Sequence, residues 1–134
     1  VLSWAAPAIP LFPEFSPSET IRWYLKLKEC VLSETKILET LDLVAHRNKP
    51  IRLFSSGMTA RLKAGLAILT NSKLLILDEP TANLDEGNAQ LILELIQSYK
   101  QGRINLIASN LESEIALATA KVILAPESCT FTQC

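Results

Sequence analysis

The sequence has no long apolar segment and no run of basic residues. Its longest nearly apolar stretches, residues 74–77 and 104–109, are far shorter than the roughly 20 residues that a membrane-spanning helix needs. Lysine and arginine are scattered, and the formal net charge is −1. A basic surface for nucleic acid or anionic lipid is therefore not indicated, and we expect neither a bilayer-spanning chain nor a nucleic-acid partner.

Cysteine and histidine are too few to indicate a zinc site or a disulfide framework. Cys30, Cys129 and Cys134 show no Cys-x-x-Cys spacing, and His46 is the single histidine. This pattern favours a reducing compartment such as the cytoplasm. We expect His46 to lie near a helix end and assign it no catalytic role.

What the sequence does contain is enough apolar residues, 49% of 134, to form one domain with a core.

A serine before a proline predicts the first helix. Ser16 can form a capping box with Glu19, and Pro17 suits the first helical position. We expect this helix to reach about Cys30.

Two further helices are predicted from caps and apolar spacing. Ser33 can cap the second, whose apolar residues recur at helical spacing as far as Val44 before residues 48–50 break it. The third begins near Ser56 and runs to about Asn71.

Apolar runs predict the strands of a parallel sheet. Residues 1–7 indicate a strand that leaves for a loop, whereas residues 74–77 and 104–109 indicate strands that are buried. A last strand is predicted at residues 121–124. The helices between the later strands make right-handed crossovers, so we expect an α/β fold.

Those crossover helices have recognisable ends. Asp85 can cap a helix over residues 86–100, which Gly102 is placed to end. A shorter helix is predicted at residues 112–119.

Two adjacent carboxylates, Asp78 and Glu79, follow the apolar run at 74–77. Ligands of open parallel sheets bind at the carboxyl ends of the strands. Because neighbouring side chains of an extended strand point to opposite sides, one acid can hold a hydrated Mg²⁺ while the other polarises a water that attacks a phosphate. The alternative is a core strand followed by an acidic turn.

A second candidate for phosphate chemistry lies upstream, where Ser55, Ser56 and Gly57 open the third helix. Serine hydroxyls and backbone N–H groups at a helix N-terminus can bind an anion. Taken alone, the same residues are a simple N-cap.

Three segments in order resemble the motifs of ABC ATPases. Residues 54–61, Phe-Ser-Ser-Gly-Met-Thr-Ala-Arg, resemble the signature motif; residues 74–80, Leu-Leu-Ile-Leu-Asp-Glu-Pro, resemble Walker B with its catalytic glutamate; and residues 83–85, Asn-Leu-Asp, resemble the D-loop. The resemblance implies a P-loop NTPase-like parallel sheet, here partial, with the ABC α-helical subdomain.

The resemblance extends over nearly the whole chain. It implies that residues 1–134 are the C-terminal part of a single ABC ATPase domain. Residues 1–16 are similar to the Q-loop region, residues 17–73 to the helical subdomain with the signature helix, and residues 74–134 to the Walker B, D-loop and switch part of the catalytic core.

The family's roles follow by position. Asp78 would support Mg²⁺, Glu79 would act as the general base, and Asp85 of the D-loop would couple two sites. The signature residues would bind the γ-phosphate of ATP held mainly by the opposite subunit of a head-to-tail dimer; they are Ser55, Ser56, Gly57 and Met58.

The sequence departs from the family at four places. Ser56 stands where glycine is usual, Met58 where glutamine is usual, and residues 5–7 lack the Q-loop glutamine. Asn110 occupies the position of the catalytic switch histidine. Its amide can hydrogen-bond a γ-phosphate but carries no titrating proton, and it can alternatively cap the following helix.

A phosphate-binding loop is also missing. Such a loop needs Gly-x-x-x-x-Gly-Lys-Ser/Thr, because glycine amides wrap the phosphates while the lysine neutralises them. None of the four glycines precedes a lysine. In this family the loop lies upstream of the region that the chain covers, so we expect the chain to be truncated and inactive alone.

The resemblance implies the ATP-hydrolysing subunit of a transporter, cytoplasmic and held at the inner face of the membrane by a transmembrane permease subunit. Its cofactors would be ATP and Mg²⁺, and its other partner a second ABC ATPase domain. Two alternatives remain: a soluble ABC-type ATPase acting on ribosomes or DNA, and a non-catalytic interaction module.

Overall fold

Three parallel strands form the sheet that carries the site. The structure, a computed structural model, describes residues 2–7, 10–124 and 129–133, so that Val1 and Cys134 lie outside it. The strands are β1 (Leu2–Ala5), β2 (Leu74–Asp78) and β3 (Ile104–Ala108), in the order β1-β2-β3. The α/β fold with a partial parallel sheet is therefore confirmed, and β2 is its central strand.

The described residues form five α-helices: α1 (Pro17–Leu27), α2 (Glu34–Thr40), α3 (Ser56–Ile68), α4 (Glu86–Tyr99) and α5 (Glu112–Ile115). Short 3₁₀ turns at Val44–His46 and Ile51–Leu53 connect α2 to α3. Of the helices that the structure describes, none is long and apolar enough to cross a membrane.

The predicted N-caps are confirmed. The Ser16 N–H donates to Glu19 at 2.8 Å while the Ser16 hydroxyl accepts the Glu19 N–H, which completes the capping box. Ser33 caps α2 through the Lys36 N–H, and Asp85 caps α4. Each cap satisfies a backbone donor that has no partner inside its helix.

Several helices are shorter than predicted. Helix α1 ends at Leu27 rather than Cys30, because Lys28 turns to an extended conformation with φ −139°. Helix α2 ends at Thr40, and Asp42 with φ 49° prevents it from continuing to Val44.

The later helices show the same shortening. Helix α3 stops at Ile68, before the expected Asn71, and α5 covers four residues, Glu112–Ile115, of the predicted 112–119. Helix α4 matches its prediction, and Gly102 after it takes φ +75°, a conformation that favours glycine.

The core lies on one side of the sheet, where α3 packs against β1, β2 and α4. Leu75 and Leu77 of β2 are fully buried, together with Leu62 of α3 and Ile92 of α4. Helix α3 also packs against the loop after α2, where Leu41 is fully buried. Burial of such side chains stabilises the fold by about 1.5–3 kcal/mol each.

The prediction that β3 is buried is wrong. Ile104 is 70% exposed and Leu106 57% exposed, because β3 is the edge strand and the described residues leave one face of the sheet uncovered. Leu2 and Trp4 of β1 share that face, since Leu2 pairs with Leu74 and Leu74 with Ile104.

The last predicted strand also pairs differently. Strand β4 (Ala120–Leu124) pairs antiparallel with β5 (Cys129–Gln133) in a separate two-stranded sheet. The expectation that residues 121–124 extend the parallel sheet is therefore wrong. Strand β5 supplies β4 with the backbone hydrogen bonds that a neighbour in the parallel sheet was expected to make.

Candidate functional site

Asp78 and Glu79 lie at the carboxyl end of the central strand. Asp78 is the last residue of β2 and is exposed. Glu79 takes φ 44°, so the chain leaves the extended conformation immediately after Asp78. Glu79 therefore does not continue the extended strand on which we based opposite directions for the two carboxylates, and both residues line one cavity.

This cavity has a volume of about 320 Å³ and is formed by three remote segments. The end of β1 and the loop after it supply residues 5–7, and the end of β2 and the loop after it supply residues 78–80, 82 and 83. One face of α3, with Phe54 before it, closes the remaining side. The α3 residues that line it share helical spacing; they are Ser56, Thr59, Ala60, Lys63 and Ala64.

Lys63 brings a positive charge to a cavity that also holds two carboxylates. Its ammonium donates a 2.8 Å hydrogen bond to the Pro7 carbonyl, and partial burial lowers the pKa of its side chain. Lys63 was not among the site residues predicted from the sequence. The signal was its position seven residues after Ser56, which places both on one face of α3.

The N-terminus of α3 lies at the other end of the helix face that carries Lys63. The Ser55 hydroxyl accepts the Met58 N–H at 3.2 Å, so Ser55 is the N-cap. The N–H groups of Ser56 and Gly57 have no partner among the hydrogen bonds of the described residues, as expected in a first helical turn. They remain available to an anion.

Met58 differs from its neighbours in the signature segment. It is half-buried and packs against the hydrophobic core. Its thioether is a weak acceptor, so any polar contact of this motif depends on the serines and the backbone.

The D-loop segment lies against the start of α3. A Cβ placed on Gly57 would be 3.6 Å from Leu84 Cδ2 and 4.0 Å from Asn88 Nδ2. Asp85 accepts hydrogen bonds from the backbone and side chain of Asn88 at 3.0 and 2.6 Å. The Asn88 backbone bond, followed by the side-chain bond, lowers the pKa of Asp85.

Asn110 stands apart from these residues. It is exposed, follows β3 and is not among the residues that line the cavity. The alternative in which it caps α5 is wrong: the N-cap is Leu111, whose N–H is bound by the Ser109 hydroxyl at 2.9 Å.

The carboxylates at the site suit a Mg²⁺ ion that keeps part of its water shell better than a metal ion whose ligands all come from the protein. Within residues 2–7, 10–124 and 129–133, no cluster of three or more His, Cys, Asp or Glu residues could hold an ion. Mg²⁺ is commonly bound by one or two carboxylates with substrate phosphates and water. Asp78 lines the cavity with an exposed carboxylate, the type of group that such a site uses.

This arrangement of sheet, helix and acidic cavity is that of an ATP-binding cassette. Residues 5–82 match the ABC transporter family, and the chain belongs to that family. ATP-binding cassette sub-family A member 17 of Rattus norvegicus is 29% identical over 128 residues, which are 92% of this chain and 7% of the relative. Lantibiotic transport ATP-binding protein SrtF of Streptococcus pyogenes is 40% identical over 88 residues, 63% of this chain and 38% of the relative.

Solved structures confirm the fold. A dimeric ATP-binding cassette in a post-hydrolysis state, bound to ADP and phosphate, has a TM-score of 0.76 at 15% identity; the match covers 90% of this chain and 57% of that one. An ABC transporter ATP-binding protein from Pyrococcus furiosus has a TM-score of 0.70 at 21% identity, covering 83% and 57%. The chain therefore spans little more than half of these neighbours and a small part of the curated relatives.

Proposed function

We propose that residues 1–134 are the C-terminal part of an ABC ATPase domain, and that the full-length protein hydrolyses ATP to drive transport through a separate membrane subunit. One observation carries the proposal. Asp78 and Glu79 lie at the carboxyl end of the central strand of a parallel sheet, which is where such sheets bind their ligands.

The cavity residues divide the chemistry between them. Asp78 holds the hydrated Mg²⁺, which supplies charge neutralisation on the ATP phosphates. Glu79 accepts a proton from, or orients, the attacking water, and its exposure leaves its carboxylate accessible to that water. Asn110 occupies the switch position and contributes an amide hydrogen bond to the γ-phosphate.

The first turn of α3 serves a nucleotide held by a second ABC ATPase domain. Ser55, Ser56, Gly57 and Met58 form the signature segment of a head-to-tail dimer. Its free N–H groups and the positive end of the helix dipole bind the γ-phosphate in trans. Asp85 couples the two sites, since Asn88 connects it to the α3 residue Arg61.

The surface around α1 suits a transmembrane permease subunit. Phe12 is 53% exposed and Trp23 42% exposed, with ring centroids 5.4 Å apart, and Phe15 lies 5.2 Å from Phe12. A cluster of exposed aromatic side chains is typical of interaction surfaces. We place the protein in the cytoplasm, at the inner face of the membrane, through this contact.

Magnesium dependence tests the proposal. The full-length protein should hydrolyse ATP only with Mg²⁺, and Asp78→Asn should lower the rate and raise the Mg²⁺ concentration required. The matched control is Glu39→Gln, an exposed carboxylate that pairs with Lys36 on α2; it should change neither quantity. Mg²⁺-dependent hydrolysis that Asp78→Asn leaves unaltered would refute the assignment.

A further inference from the structure

A buried carboxyl group lies behind the acidic cavity. Glu114 of α5 is 0% exposed, and its Oε1 accepts the Thr81 N–H at 2.9 Å and the Thr81 hydroxyl in a short hydrogen bond. Thr81, itself 5% exposed, is two residues after Glu79. Glu114 thus satisfies two buried donors in the loop that carries the proposed general base.

The conformation of Glu79 needs such support. A glutamate with φ 44° lies in the left-handed region, which is unfavourable for a residue with a side chain and persists only where the surroundings impose it. The Glu79 N–H donates to the Ala108 carbonyl at 2.9 Å, and the Glu79 carbonyl accepts the Ala82 N–H at 3.0 Å. Glu114 then fixes Thr81 inside that turn.

The two residues outside the loop that hydrogen-bond to Glu79 and Thr81 lie in one segment of the chain. Ala108 ends β3, Glu114 lies in α5, and Asn110 lies between them. The loop from Glu79 to Thr81 is therefore hydrogen-bonded at both ends to residues near Asn110. Ala108 accepts a bond from Glu79 at its start, and Glu114 accepts bonds from Thr81 at its end. A movement of residues 108–114, the Asn110 segment, would therefore also move Glu79.

We propose that Glu114 is a positioning residue for ATP hydrolysis: through Thr81 it sets the geometry of Glu79 and joins it to the Asn110 segment. This inference rests on the proposed role of Glu79. Glu114 touches no nucleotide in this arrangement, so its effect is expected on turnover rather than on binding.

A purely structural role makes a different prediction. Leaving the Thr81 N–H and hydroxyl unpaired in a buried position destabilises the folded state. If that were the whole effect, Glu114 variants would lose stability while the folded fraction kept its kcat. A general base displaced by about 1 Å, in contrast, costs on the order of 100-fold in rate.

The experiment compares kcat and KM for ATP in the full-length protein. Glu114→Ala removes both bonds and should lower kcat roughly 10- to 100-fold, with KM changed less than about two-fold. Glu114→Gln keeps an oxygen that can accept the same two bonds and should restore most of the rate. Glu112→Ala removes an exposed carboxylate from the same helix and should have the rate of the unmodified protein.

If Glu114→Ala does not fold, variants of Thr81 test the same contact from the other side. Thr81→Val loses the hydroxyl bond and retains the N–H bond, whereas Thr81→Ser retains both, so kcat should fall several-fold only in the valine variant. Equal kcat for the two Thr81 variants would overturn the inference, as would an undiminished kcat in folded Glu114→Ala. If Glu79→Gln also left kcat unchanged, the proposed function itself would have failed.

Discussion

Arg61 donates a 2.6 Å hydrogen bond from Nη1 to Asn88 Oδ1 and thereby joins α3 to α4. Its second nitrogen, Nη2, donates to the Asp42 carbonyl at 3.2 Å, and the Asp42 carboxylate lies 3.6 Å from Nη1. Arg61 is only 7% exposed. One buried guanidinium therefore connects α3 to α4 and to the loop after α2.

Replacing Arg61 should destabilise the protein. Arg61→Met removes the charge and two part-buried hydrogen bonds of the guanidinium, so the free energy of unfolding should fall by about 2–3 kcal/mol. Arg61→Lys should recover little of this, since an ammonium lacks the planar fork that reaches both partners. Urea unfolding measures the change.

The control for this change is Arg22→Met. Arg22 has a 58% exposed side chain and lies 3.7 Å from Glu34, and such exposed pairs contribute about 0–1 kcal/mol. Equal losses in the Arg61 and Arg22 variants would contradict a structural role for the buried guanidinium.

Gly65 should not tolerate a side chain. A Cβ at this position would clash with Leu41 Cδ2 and lie 2.7 Å from Leu41 Cδ1, and Leu41 is fully buried. Gly65→Ala should therefore lower the free energy of unfolding by about 1–3 kcal/mol. Gly87→Ala is the matched control, because its Cβ would meet only Asp85 Oδ1 at 3.6 Å; it should leave stability unchanged or raise it by up to about 1 kcal/mol.

The uncovered sheet face should cause self-association of the 134-residue chain. Trp4, Ile104 and Leu106 expose apolar surface side by side, and such surface is an aggregation site unless another segment covers it. Ile104→Lys should reduce association, as measured by sedimentation velocity, whereas Leu53→Lys, a change at an exposed residue away from this face, should not.

The same substitution should act in the opposite sense in the full-length protein. If upstream residues of the proposed ATPase domain cover this face, Ile104→Lys buries a charge there and lowers the melting temperature. An unchanged melting temperature would mean that the face stays exposed in the complete protein.

Local features and the parallel pairing of β1, β2 and β3 were predictable from the sequence, whereas the exposure of β3 and the antiparallel pairing of β4 were not. The caps at Ser16, Ser33 and Asp85 depend on residues three positions apart, and all three are confirmed. The exposure of β3 depends on strand order and on what packs against the sheet. An apolar run of five residues carries no information about either.

The site was predictable in part. Asp78 and Glu79 were expected together, but the cavity also needs Lys63 and residues 5–7, which only the tertiary fold brings near. Glu114 gave no local signal, because a glutamate in a short, polar helix is usually exposed. Its burial follows from Thr81, a contact between residues far apart in sequence.

The measurement that bears most directly on the proposed function is the ATP turnover of full-length Glu79→Gln. The amide keeps the size of the side chain but cannot accept a proton, so kcat should fall by about 100-fold or more while ATP still binds. Glu86→Gln, a change at an exposed glutamate in the first turn of α4, should retain full turnover. A Glu79→Gln protein that hydrolyses ATP at the unmodified rate would contradict the assignment of Glu79 as general base.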